Sequence, residues 1–108
     1  MAMAGVGSPG SPPFAIGVLR VEPGTGDDAR RDARLQVAMR AYELEYFLID
    51  VVEVAGGRAD PGYDVVERLA ARTAAEAFVV GGDVDLDRLQ PVADQLRMIV
   101  RLPPAGGD

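Results

Sequence analysis

The stretch Phe14–Glu22, FAIGVLRVE, constrains the fold more than any other part of the chain. Phe14, Ile16, Val18 and Leu19 are apolar, and Ala15 and Gly17 are small. A strand that is apolar on both faces has no side for water. It belongs at the centre of a parallel sheet, covered by helices above and below. Gly17 lacks a Cβ, which would let a helix approach the strand closely. Pro23, Gly24 and Gly26 break the strand. In open α/β sheets, sites form outside the C-terminal strand ends. Here that end carries Arg20, Val21 and Glu22.

The rest of the chain alternates helix and strand patterns. Asp27 and Asp28 suit the first turn of a helix, where acids offset the helix dipole. That helix is expected over Asp28–Leu44, with Leu35, Ala38, Met39 and Tyr42 as its buried stripe. Arg30, Arg31, Arg34 and Arg40 fall largely off this stripe and form a solvated face. Glu45–Val54 is rich in β-branched and aromatic residues and reads as the second strand, with Asp50 either at an edge or partnered. Ala55–Gly62 is a loop with Arg58 and Asp60 at its tip. Asp60-Pro61-Gly62 signals a turn and the start of a helix over Tyr63–Arg72, with Val66, Leu69, Ala70 and Thr73 on one face. Glu76–Val80 is a short third strand. A turn is expected over Asp83–Leu89 and a helix from Pro91, because proline suits the first helical position and breaks a helix interior. Met98–Leu102 is the fourth strand.

The order βαβαβαβ implies a three-layer α/β fold: a mostly parallel four-stranded sheet with helices on both faces. One domain fits 108 residues, here 14–102. Residues 1–13, uncharged and dominated by Gly, Ser and Pro, read as a flexible tail, and 103–108 as a second tail. A domain of that size is only modestly stable, so a partner surface is plausible.

Composition removes several chemistries. With no cysteine and no histidine, there is no thiolate nucleophile, no disulfide and no imidazole base or metal ligand. All eleven basic residues are arginine, so Schiff-base and P-loop lysines are absent as well. Arginine in place of lysine, with abundant Ala, Gly, Val and Asp, suggests a GC-rich bacterial source. The net charge of −6 argues against DNA as a partner unless the arginines cluster on one face. No apolar run approaches a membrane span, and residues 1–13 lack the features of a secretion signal. The expectation is a cytoplasmic protein without cofactor or metal.

The order of the motifs resembles the catalytic domain of the serine recombinases, the resolvase/invertase family. That family opens with a strand bearing aromatic-x-Arg-x-Ser, whose serine attacks DNA phosphate; the matching residues here are Val18-Leu19-Arg20-Val21-Glu22. The family's Arg-Pro-Gly loop corresponds to Asp60-Pro61-Gly62. Its Leu-Asp-Arg-Leu-Gly-Arg signature corresponds to Leu86-Asp87-Arg88-Leu89-Gln90-Pro91. The resemblance spans Phe14–Leu102 and implies a resolvase-like fold with a degenerate former active site at Arg20, Glu22, Asp60, Arg88 and Pro91. Glu22 occupies the nucleophile position, while Asp60 and Pro91 occupy arginine positions. Phosphodiester attack needs a hydroxyl and nearby cations, so the resemblance implies a non-enzyme, without catalytic residues, that serves as a protein-interaction or regulatory module and self-associates. A Glu22–Arg88 salt bridge is expected to fill the old site. Two other functions compete. One is an acidic Mg²⁺-binding or receiver-like regulatory domain built on Glu22, Asp27, Asp83 and Asp85. The other is residual DNA binding through Arg20, Arg30, Arg31, Arg34, Arg58 and Arg88.

Overall fold

The structure, a computed structural model, describes residues 12–55, 61–82 and 84–103. Seven elements alternate along the chain: β1 (Phe14–Arg20), α1 (Asp27–Glu43), β2 (Phe47–Val54), α2 (Gly62–Thr73), β3 (Ala77–Gly81), α3 (Leu86–Leu96) and β4 (Ile99–Arg101). The four strands form one sheet in the order β2-β1-β3-β4, and every pairing is parallel. This is the α/β architecture expected from the alternation of patterns. β1 lies inside the sheet, flanked by β2 and β3, and Ala15 to Leu19 are all buried. A strand hydrogen-bonded on both sides and covered on both faces has no place for a polar side chain, which accounts for its composition. Among the described residues no helix is long and apolar enough to cross a membrane.

The two faces of the sheet are covered unequally. Ile16, Val18, Val54, Phe78 and Val80 meet α2 and α3 through Tyr63, Val66, Ala70, Leu89 and Ala93. On the opposite face, Ala15, Leu19, Val51, Ala77 and Val79 meet α1 through Val37 and Ala41. Two glycines set how near α1 comes. A Cβ on Gly17 would stand 2.8 Å from Val37 Cγ1 and 2.9 Å from Val51 Cγ2, and one on Gly81 would stand 2.6 Å from Val37 Cγ2. Val37 therefore sits over the bare backbone of β1 and β3, the close approach that Gly17 permits.

This seating reverses one expectation. The stripe Leu35, Ala38, Met39 and Tyr42 does not face the sheet: Leu35 and Met39 are 55 % and 54 % exposed and Tyr42 is 83 % exposed, whereas Val37 and Ala41 are buried. At about 100° per residue, Leu35 and Val37 lie on nearly opposite sides of the helix. Alpha-helical spacing alone finds both faces; the glycines of β1 and β3 select the one bearing the small, branched Val37.

The third helix also differs from the reading above. It begins at Leu86, with Pro91 inside it, rather than at Pro91. Asp85 caps it, its Oδ1 accepting from the Asp87 N–H at 3.0 Å. The Asp85 N–H in turn donates to the Tyr63 hydroxyl at 2.8 Å. Leu89 and Ala93 are wholly buried. Proline in a helix interior costs about 3 kcal/mol. A cap of about 1 kcal/mol and burial of a leucine at about 2 kcal/mol together offset that.

Because the Val37 methyls occupy the space a new Cβ would need, Gly17→Ala is expected to lower stability by about 1–3 kcal/mol. Combining it with Val37→Ala, which removes those methyls, should recover part of the loss. Chemical denaturation of the four proteins of the cycle checks this. Strictly additive effects would show that the two positions are not in contact.

Candidate functional site

The C-terminal rim of the sheet collects most of the residues singled out by sequence. β1 ends at Arg20, and Val21 N–H still donates to Val54 O at 2.9 Å. The chain then turns through Glu22-Pro23-Gly24-Thr25, with the Thr25 N–H donating to Glu22 O at 3.2 Å and its hydroxyl donating to the same oxygen at 2.6 Å. Proline at the second position and glycine with φ +85° at the third are what a type II turn requires. The Glu22 side chain folds back along the strand to Arg20, Oε2 to Nε 2.9 Å. Residues two apart on a strand share a face, so the contact follows from the local geometry.

This is a correction to the expected Glu22–Arg88 bridge: the cation that Glu22 engages is Arg20. Arg88 lies on the first turn of α3 with its guanidinium 4.7 Å from the centre of the Tyr63 ring. Pro91 is one turn further along the same helix. The cleft that Glu22 lines, about 460 Å³ and shared with Val21, Pro23–Thr25, Arg30, Glu53 and Val54–Ala55, includes neither Arg88 nor Pro91. Asp60, Arg58 and Asp83 lie outside the described residues. The structure thus joins, among the described residues, Arg20 to Glu22 and Arg88 to Tyr63. Among the described residues, no three carboxylates converge as a metal-binding group would require.

The densest polar cluster on this rim has a residue that sequence reasoning did not single out. Glu53 near the end of β2 receives Arg30 Nη2 on Oε1 at 2.7 Å and Arg34 Nη1 on Oε2 at 2.9 Å. Arg34 also donates to Val51 O at 3.2 Å and lies 3.9 Å from Asp50 Oδ1. Asp50 Oδ1 accepts the Val51 N–H at 2.7 Å. Asp50 is therefore both at an edge and partnered. Burial alone would push the Glu53 carboxyl up, but the hydrogen bonds and charges of Arg30 and Arg34 outweigh it and hold it below the usual glutamate value. Arg30 and Arg34 are one helical turn apart and face the same neighbour. The signal in the sequence is that i, i+4 arginine pair preceding a strand with a lone glutamate near its end.

Chemically the described part of the rim is a set of paired charges. Two of its arginines are committed to one carboxylate, Glu22 is committed to Arg20, and the hydroxyl in the cleft, Thr25, donates to a carbonyl. Comparison of the chain with protein-family models, with curated proteins and with solved structures yields no match.

Glu53→Gln is expected to lower stability by about 1 kcal/mol at neutral pH, the scale of charge-assisted hydrogen bonds to partly exposed partners. A depressed carboxylate stabilises the fold above its unfolded pKa, and that contribution is lost as the pH falls through the folded value. The difference between wild type and Gln variant should accordingly be constant near neutrality and shrink as the pH drops below 4.5. Urea titrations across pH measure it. A difference that grows on acidification would contradict this assignment.

Proposed function

We propose that this chain is a non-catalytic α/β domain, of the kind its resemblance to serine recombinases implies, that works as a self-associating protein-interaction module in the cytoplasm. The observation that carries the reading is the outward face of α1. Leu35, Met39 and Tyr42 follow one another at helical spacing and all stand in solvent. Single exposed apolar residues are ordinary, but a contiguous apolar stripe on a small domain marks a contact surface.

The rim chemistry supports the negative half of the reading. Where the resemblance puts the attacking hydroxyl there is a carboxylate, Glu22, held by Arg20 at 2.9 Å. A phosphate approaching it would meet like charge, where the loss of even one oxyanion-stabilising donor costs on the order of 100- to 1000-fold in rate. Arg30 and Arg34, which a DNA-binding face would need, share the Glu53 carboxylate, with Asp27 and Asp50 4.0 and 3.9 Å from them, and the chain carries a net charge of −6.

Multi-angle light scattering over a concentration series tests the interaction half of this reading. The weight-average mass should rise from 11.4 kDa towards twice that value. Incubation with supercoiled DNA, quenched with denaturant, should leave no covalent protein–DNA product. A constant monomer mass would overturn the self-association, and a trapped adduct would overturn the lack of catalysis.

A further inference from the structure

We infer that the crevice between the ends of β1 and β3, on the side covered by α1, is a binding site for a small monocarboxylate with an apolar body, its carboxylate on Arg40. This goes beyond the interaction reading and does not depend on it. The first argument is topological. From β1 the chain passes through α1 to β2, on one side in the sheet order; from β3 it passes through α3 to β4, on the other. β1 and β3 are neighbours, so their connections part at this point. In open parallel sheets the crevice outside such a pair of strand ends is where ligands bind. A cavity of about 260 Å³ lies there. Leu19 and Gly81 face each other at the last paired position of the two strands, and both line it, with Val37 of α1 beside them.

The second argument is charge. Around the apolar walls of Leu19, Val37 and Val80 stand Arg20, Gln36 and Arg40, and among the described residues no Asp or Glu lines the cavity. The chain has a net charge of −6, and the clefts along the Glu22 turn and beside Arg30 and Arg34 both include Glu53. Arg20 is held by Glu22 at 2.9 Å. Arg40 is less committed. Its Nη1 lies 4.0 Å from exposed Glu43, and its Nε is buried with no hydrogen-bond acceptor among the described residues. The Nε of Arg30 is in the same position, but that guanidinium already carries Glu53 at 2.7 Å. A buried donor left open is costly. A carboxylate laid side-on across the guanidinium fork satisfies it through parallel hydrogen bonds. The rest of the ligand is apolar because the walls are, and small because the cavity holds the volume of about nine waters. Benzoate meets all three requirements.

Titration of the isotope-labelled full chain with sodium benzoate, followed by backbone amide shifts, tests it. Benzyl alcohol serves as the neutral counterpart and inorganic phosphate as an anion without an apolar body. Benzoate should saturate with Kd on the order of 1 mM and move the amides of Gln36, Arg40, Gly81 and Gly82. Benzyl alcohol and phosphate should each bind at least about tenfold more weakly. Arg40→Met, which keeps an apolar stem and loses the charge, should weaken benzoate by about tenfold or more, and Arg40→Lys by less. Ala33→Leu, which extends into the cavity from α1, should abolish binding without touching a charge. Arg68→Met, exposed on α2 against the other face, should leave it unchanged. Thermal melts show which variants fold; if Arg40→Met does not, Ala33→Leu decides, and the benzyl alcohol comparison needs no variant. Absence of saturating shifts up to about 20 mM benzoate, shifts centred away from these residues, or undiminished binding by Arg40→Met or Ala33→Leu overturns the site. Equal binding of benzyl alcohol or of phosphate overturns the ligand class. None of these results bears on self-association, which the mass measurement tests by itself.

Discussion

The contact on which the rest of this structure depends is Val37 seated over Gly17 and Gly81. Among the described residues α1 alone covers that face of the sheet, so its rotation about its own axis decides what the described molecule shows to solvent there. A valine fits where two neighbouring strands both lack a Cβ; a leucine, methionine or tyrosine in the same place would hold the helix off the sheet and leave a gap. Fixing Val37 inward therefore fixes Leu35, Met39 and Tyr42 outward. The apolar outer stripe is a consequence of core packing, not an independent feature of the surface.

The charges around α1 serve the same end. Arg30 and Arg34 reach from the helix to Glu53, tying its N-terminal half to the edge strand, while Val37 and Ala41 hold the C-terminal half by packing. The helix is thus fixed at two separated points by two kinds of force. Salt screens the ionic contact partly, since both arginines are partly exposed, but leaves the packing untouched. At the rim itself the same pattern recurs on a smaller scale. Glu22 and Arg20 close on each other within two residues, and Arg88 lies on the Tyr63 ring beside the α3 cap. Each of these charges is used to hold a local conformation.

Much of this fold was legible in the sequence because its signals are local. The double-faced apolar β1, the helix–strand alternation and the Pro-Gly turn after Glu22 each report on a few neighbouring residues. What was not legible depended on comparing distant segments. Two faces of α1 are apolar, and only the glycines of β1 and β3 distinguish them. The start of α3 depends on Asp85 and Tyr63, which are 22 residues apart, so the proline rule taken alone misplaced it. At the site, the side of β1 shared by Arg20 and Glu22 could be read from strand periodicity, and that periodicity leads to their ion pair. The choice of Arg88 as the partner came from motif order, which carries no distances. Glu53 escaped notice because its role exists only once β2 lies beside α1.

The seating of α1 can be measured directly because the chain has no cysteine of its own. Single substitutions Leu35→Cys, Val37→Cys and Met39→Cys, labelled with a thiol reagent at low protein concentration, report which side of the helix is covered. The account predicts rapid labelling at positions 35 and 39, close to that of an unfolded control, and strong protection at position 37. Protection at 35 and 39 with rapid labelling at 37 would mean that the helix is turned the other way, and the outer stripe and the self-association read from it would go with it.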